Sequence, residues 1–351
     1  MKPIPALLPF SWLYGIGIGA RNLLFDVGVL KSSRVNARVI SVGNVTAGGT
    51  GKTPIVEMLA QQLLEMQLHV AVLSRGYKRT SHGLVEVSDG SKIKASVEES
   101  GDEPFQIAQK LSRRGGVSTG AAVVVDEQRV RGARYAVEKF GAEVILLDDG
   151  FQHRRLHRDC DIVVIDASQS PFKTPLLPAG SRRERLSSLK RANAVVITRA
   201  ASETIVDDVR TKIRKFSKAE IFSCLFQTNM IRDAKNKTVI ENELAKQKRA
   251  LAFCGIGNPK GFRKSLERSG IDIVAVREFP DHHRYSKNDI AMLQEEMKQR
   301  GAEVLLTTEK DAVRFSSSNA NLDAPLWYLE MKATINEEEQ WKSFITSAIK
   351  N

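Results

Sequence analysis

Apolar residues along this chain gather into short, unbroken blocks, and stretches with helical spacing lie between them. Val, Ile and Leu dominate the blocks at residues 38–42, 70–74, 121–125, 144–148, 161–166 and 194–198. Similar blocks recur at 250–254, 271–276, 304–307 and 326–330. Continuous apolar runs of this length, without polar alternation, mark strands buried on both faces. Segments such as 54–67 and 127–140 show helical periodicity between them. Strands alternating with helices predict an α/β fold built on a doubly wound, mostly parallel sheet. The pattern weakens at 212–248, a polar, Lys-rich stretch. A hinge is expected there, dividing a core at 36–215 from a smaller α/β lobe at 216–351.

The N-terminus carries the longest uncharged stretch, residues 4–20. It is too short to span a bilayer, which takes about 20 apolar residues, and Gly15, Gly17 and Gly19 weaken it further. Pro5 and Pro9 interrupt the run and no small-residue cleavage site follows, which argues against a signal peptide. Two readings of a helix over 10–30 stay level: packing on the protein's own core, or lying on a membrane surface or lipid-like ligand.

Composition narrows the partners. The 351 residues are 42% hydrophobic and 27% charged, a profile able to bury a core without disulfides or structural metal. A net charge of +12 favours phosphate-rich partners. Cys160, Cys224 and Cys254 are too far apart for metal-ligand spacing or a disulfide framework. Aromatics are only 6%, which disfavours a stacking platform for single-stranded nucleic acid.

The sharpest chemistry lies at Ser41-Val-Gly-Asn-Val-Thr-Ala-Gly-Gly-Thr-Gly-Lys-Thr-Pro54. An apolar strand runs into a Gly-rich turn and then a helix, the layout of a phosphate loop. Backbone N–H groups of Thr46, Ala47, Gly48, Gly49, Thr50 and Gly51 would cradle nucleotide phosphates, with Lys52 reaching the β- and γ-phosphates and the Thr53 hydroxyl on Mg²⁺. Thr46 stands where the strict pattern has its first glycine. A second apolar block ends in Asp148 and Asp149, as P-loop enzymes place an acidic residue near Mg²⁺. ATP and Mg²⁺ are therefore the expected cofactors.

Three classes of P-loop protein compete. Dimerising ATPases that act on DNA or membranes carry a signature lysine five residues before the P-loop lysine, where this chain has Ala47. A nucleic-acid ATPase draws support from the basic runs at 182–191 and at Arg154, Arg155 and Arg158, but no helicase-like motif accompanies them. A small-molecule kinase needs a base for the acceptor proton. Asp102 in Gly101-Asp-Glu-Pro104 reads on local pattern as a helix N-cap ahead of a base, and the cluster Asp281-His-His283 offers imidazole beside carboxylate.

Five segments in order resemble the tetraacyldisaccharide 4′-kinases of lipid A biosynthesis: the P-loop, Leu73-Ser-Arg-Gly-Tyr77, Gly101-Asp-Glu-Pro104, Asp148-Asp-Gly-Phe-Gln-His-Arg154 and Thr308-Glu-Lys-Asp311. The resemblance runs from the N-terminal helix to about Phe315. It implies ATP-dependent phosphorylation of the 4′-hydroxyl of a tetraacylated glucosamine disaccharide 1-phosphate, not action on nucleic acid. It also implies a peripheral enzyme on the cytoplasmic face of the bacterial inner membrane, with the helix of residues 1–35 at the lipid. Carried onto this sequence, it makes Asp102 the base and His282 its partner, with His283 adjacent. Arg129, Arg183 and Glu184 fall at substrate and phosphate contacts. One departure lies there: Ser181-Arg-Arg-Glu-Arg185 replaces the family's tendency to Pro-Leu-Arg-Glu-Pro.

Overall fold

The computed structural model describes residues 4–112, 120–316, 322 and 324–350. Its strands, in chain order, are β1 (Arg38–Gly43), β2 (Val70–Ser74), β3 (Val85–Asp89), β4 (Ala122–Val125), β5 (Val144–Asp148), β6 (Cys160–Asp166) and β7 (Ala194–Thr198). These are followed by β8 (Glu220–Asp233), β9 (Val239–Ile240), β10 (Arg249–Cys254), β11 (Asp272–Glu278), β12 (Val304–Thr308) and β13 (Leu326–Ile335). All ten expected strands are present, within a few residues of their expected ends except β13, which runs on to Ile335.

One mixed sheet contains them all, in the order β11-β10-β12-β13-β8-β7-β6-β1-β5-β2-β4-β3, with β9 paired to β8. Residues 36–215 supply the run from β3 to β7 and residues 216–351 the run from β8 to β11, so the two parts meet at neighbouring strands. The central strands are parallel, as their two-sided apolar burial requires. The polar stretch 212–248 holds the long strand β8. Its first half pairs with β7, and its second half pairs antiparallel with β13. Residues of β8 alternate between buried and exposed in part, which masked the strand in a search for unbroken apolar runs. The edge strand β3 has Glu86 and Ser88 set among its valines and so carries no unbroken apolar run either.

Helices cover both faces. The helix Lys52–Glu65 buries Ile55, Val56, Leu59, Ala60 and Leu63 on one face, and the helix Arg129–Phe140 packs Ala133 and Ala136 on the other. The C-terminal helix Glu338–Lys350 returns to the first part of the sheet. There its Trp341 is fully buried, and Trp341 Nε1 donates to Gln62 Oε1 at 2.9 Å.

The N-terminal helix spans Leu8–Asp26, two residues earlier than expected at its start and four shorter at its end. Its polar side chains face the protein. Ser11 donates to the Leu176 carbonyl at 2.9 Å, Tyr14 to the Arg183 carbonyl at 3.0 Å and Arg21 to the Gln152 carbonyl at 2.7 Å. Its apolar side chains face outward: Trp12 is 74% exposed and Leu13 66%, with Phe10, Ile16 and Leu23 alongside. This inverts the usual amphipathic arrangement of a surface helix. No helix among the described residues is long and apolar enough to cross a membrane.

Candidate active site

The carboxyl ends of β1 and β5, neighbours in the sheet, bring the P-loop beside the acidic pair. This is where open α/β sheets bind ligands. Gly51 caps the helix Lys52–Glu65 with φ +90°, a conformation that favours glycine, and a Cβ there would collide with the Phe226 ring. The segment 181–183 runs along the loop: Ala47 N–H donates to the Ser181 carbonyl at 2.6 Å and Arg183 N–H to the Val45 carbonyl at 2.8 Å. The departing sequence at 181–185 thus forms the wall of the P-loop.

Asp149, with φ +53°, carries its carboxylate between two cations. Lys52 Nζ lies 3.4 Å from Oδ1, and Arg183 Nη1 donates to both oxygens at 2.9 and 2.7 Å. Burial works against ionisation here, but Lys52 and Arg183 outweigh it and hold the Asp149 carboxyl below its ordinary range. Asp148 is buried behind it and behaves oppositely. Burial, with Glu103 and Asp149 adding repulsion, pushes its carboxyl up to about 6. Its Oδ2 accepts from Ser74 Oγ at 2.9 Å, while Oδ1 is buried without a hydrogen-bond partner. An orphaned buried carboxylate oxygen calls for a donor or a cation. No cluster of three or more His, Cys, Asp or Glu side chains that could cage a metal occurs among the described residues.

A second group of side chains is assembled from distant parts of the chain. Asp102 is the first residue of the helix Asp102–Leu111, and the N-cap is Gly101 with no side-chain cap bond. The capping role open to Asp102 in the sequence is therefore not the one it plays. Its Oδ2 accepts from Arg314 Nε at 2.6 Å and lies 3.1 Å from His282 Nδ1. Arg314 also donates from Nη1 to the Gly255 carbonyl at 2.7 Å and to Asp311 Oδ1 at 3.0 Å. Burial opposes the Asp102 charge, but the hydrogen bond from His282 and the Arg314 guanidinium bring the carboxyl down to about 2. His282 is held at φ +63° in the left-handed region, where a non-glycine residue is strained. His283 instead places Nε2 3.1 Å from Asp289 Oδ2, on the next helix.

The remaining expected residues lie behind the site. Arg129 is buried, and donates to the Asp126 carbonyl at 2.6 Å and to the Asp148 carbonyl at 3.4 Å. Its guanidinium supports the backbone of the acidic pair. Glu184 is fully buried and accepts from Arg191 at 3.0 Å, Asn22 at 2.9 Å and Gln152 at 3.1 Å. Its carboxylate ties the N-terminal helix to the P-loop wall. Reading the sequence alone misses Arg314, which lies 212 residues from Asp102. The available signal was a basic pair, Lys310 and Arg314, one turn apart in the motif that follows β12. Between the N-terminal helix and the segment 176–185 lies a cavity of about 500 Å³, lined by Trp12, Ile16, Leu176, Arg182 and Arg185 among others.

A family model described as "Tetraacyldisaccharide-1-P 4'-kinase" matches residues 4–350. The tetraacyldisaccharide 4'-kinase of Halothermothrix orenii is 38% identical over 318 residues, which cover 87% of this chain and 81% of that protein. That of Syntrophus aciditrophicus is 36% identical, covering 100% of this chain and 94% of its own. The crystal structure of LpxK from Aquifex aeolicus in complex with ATP superposes with a TM-score of 0.80, at 34% identity and 98% coverage of both chains. Such agreement spans nearly the whole chain, and so the chain belongs to the tetraacyldisaccharide-1-P 4'-kinase family.

Proposed function

We propose that this chain transfers the γ-phosphoryl group of ATP to the 4′-hydroxyl of a tetraacylated glucosamine disaccharide 1-phosphate, using the P-loop and the Asp102–His282–Arg314 group. Family membership supports the reaction, and the convergence of Asp102, His282 and Arg314 from three separate segments carries the assignment of the acceptor end.

The P-loop N–H groups and Lys52 bind the phosphates at the positive end of the helix Lys52–Glu65. Thr53 and Asp148 would hold Mg²⁺, with Asp149 nearby. Bound there, the ion neutralises charge on the β- and γ-phosphate oxygens. Asp149 pairs with both Lys52 and Arg183 and so holds the two cations beside the phosphate site. Asp102 accepts the 4′-hydroxyl proton. The hydroxyl oxygen bonds to the γ-phosphorus as the bond from that phosphorus to the ADP oxygen breaks. A carboxyl near 2 is a weak base. That suits a loose transition state, in which the nucleophile needs little deprotonation before bond formation. His282 and Arg314 orient the carboxylate.

The outward apolar face of the helix Leu8–Asp26 supports seating on the cytoplasmic face of the inner membrane, with the cavity beneath Trp12 open to acyl chains. The test is phosphate transfer from ATP to the disaccharide lipid by purified protein. Lipid-dependent ATP turnover that DNA and RNA fail to stimulate is the expected result. Stimulation by nucleic acid without lipid would overturn the reading.

A further inference from the structure

Two ion pairs cross from the helix Glu309–Ser316 to the start of the helix Asp102–Leu111, and only one has a place in the mechanism above. Arg314 reaches Asp102 and is nearly enclosed, its side chain 4% exposed. One turn earlier, Lys310 Nζ donates to Glu103 Oε1 at 2.5 Å, with both side chains about one-third exposed. Adjacent carboxylates thus face cations spaced four residues apart on one helix.

The Lys310–Glu103 pair is not needed to dock that helix. Glu309 at its start meets Lys110 at 3.4 Å, and Lys110 is itself anchored by Glu57 at 2.9 Å and the Met331 carbonyl at 2.9 Å. Arg314 ties the far end to Asp102, Asp311 and the Gly255 carbonyl. Between these fixed points the Lys310 ammonium has Glu103 as its hydrogen-bond partner among the described residues. That partner borders the phosphate site: its helix starts just beyond the end of β2, where a Cβ on Gly101 would meet the Tyr77 carbonyl at 3.0 Å and Ser74 donates to Asp148 Oδ2 at 2.9 Å, and one turn along Gln106 Nε2 donates to Glu57 Oε1 of the P-loop helix at 2.8 Å.

We infer that Lys310 is a second phosphate-directed cation of the reaction, supplied from the C-terminal part of the chain and held at the rim of the P-loop by Glu103 until ATP arrives. The inference rests on the kinase reading above. Lys52 and Arg183 already share Asp149, so charge growing on the γ-phosphoryl oxygens has need of a further donor. A lysine ammonium on its four-carbon stem swings from one oxygen acceptor to another without altering the helix that carries it. A cation reaching the transferring group from a second element is the logic of an arginine finger. Glu103 is a positioning residue in this scheme: it keeps Lys310 extended toward the site.

The test compares Lys310→Met with Glu103→Gln, each of which breaks the same pair. Binding of ADP and of a non-hydrolysable ATP analogue is measured by calorimetry, with kcat for transfer to the lipid disaccharide and a thermal melt as a check on folding. Lys310→Met is expected to bind ADP within about 2-fold of wild type, to bind the ATP analogue roughly 10-fold more weakly, and to lose about 10²-fold in kcat. Glu103→Gln is expected to keep the preference for the ATP analogue over ADP, because the ammonium remains. Lys310→Arg should recover part of the kcat. Identical behaviour of Lys310→Met and Glu103→Gln, or equal losses for ADP and the ATP analogue, would show the pair to be structural and overturn the inference. Lys52→Ala separates the two readings. If it retains turnover, the kinase site itself is misassigned. If it is inactive while Lys310→Met is unimpaired, only the role of Lys310 falls.

Discussion

Replacing Asp102 by Asn is the most informative single change, because the structure separates its two consequences. Arg314 Nε donates to Oδ2, and His282 Nδ1 lies 3.1 Å from the same oxygen. An Asn with its carbonyl in that place keeps the shape and both contacts and loses only the charge. The carboxyl is lowered from 3.8 to about 2 in the fold, so the charge stabilises the native state. At 1.36 kcal/mol per pKa unit the shift corresponds to about 2 kcal/mol. A depressed acid contributes that stability above its unfolded value and loses it as pH falls through about 2. Wild type and Asp102→Asn should therefore differ by a constant amount from pH 5 to pH 8, read as a drop of a few degrees in Tm. Turnover should behave differently. An amide takes up no proton, and kcat for transfer to the lipid disaccharide should fall by roughly 10²- to 10⁴-fold. ATP binding should persist, since no P-loop residue changes. If the variant shows the stability loss with kcat within a few-fold of wild type, Asp102 is an ion-pair residue and the search for the base moves to His282.

Three further outcomes follow from the geometry. Glu184→Ala leaves Arg191 buried without its carboxylate and releases Asn22, a loss of about 3–5 kcal/mol in urea unfolding, with increased protease sensitivity of the N-terminal helix. Because burial raises the Asp148 carboxyl to about 6, protons would compete below that pH with the Mg²⁺ proposed to bind there. The Mg²⁺ concentration for half-maximal activity should rise as the assay pH is lowered from 7.5 to 5.5, and Asp148→Asn should flatten that dependence. Leu13→Glu combined with Ile16→Glu places charge on the exposed face of the N-terminal helix. Co-sedimentation with anionic vesicles should drop while binding of nucleotide in solution is retained.

The sequence exposes one half of this site far better than the other. The P-loop and the Asp148–Asp149 pair are contiguous signals at the ends of β1 and β5, so local pattern alone reveals them. Apolar runs buried on both faces likewise disclose the parallel strands. Strand β8 stays hidden because its outer half pairs on the polar side of the joint and alternates in exposure. The acceptor end is hidden for a topological reason. Asp102, His282 and Arg314 meet only after β10 and β12 are laid side by side and the helix Glu309–Ser316 folds over the helix Asp102–Leu111. No local spacing encodes that meeting, and the choice between His282 and His283 becomes visible only once their different partners are known.

Arg183 and Glu184 are consecutive residues with opposite duties. One holds the carboxylate beside Lys52, the other holds the helix whose outer face is apolar. Consecutive Cα atoms lie about 3.8 Å apart, so the phosphate site and the anchor of that helix are joined by a single peptide unit. For an enzyme seated on the bilayer by that helix, the depth of the reaction centre relative to the lipid headgroups is set by covalent geometry. Pulling a four-chain lipid fully into water would cost about 0.8 kcal/mol for every methylene exposed. A chemistry tethered at headgroup level, as proposed, would avoid that work: the sugar hydroxyl would be presented at the interface while the acyl chains stay in the hydrocarbon. Under the proposed seating, the enzyme would come to its substrate rather than extract it.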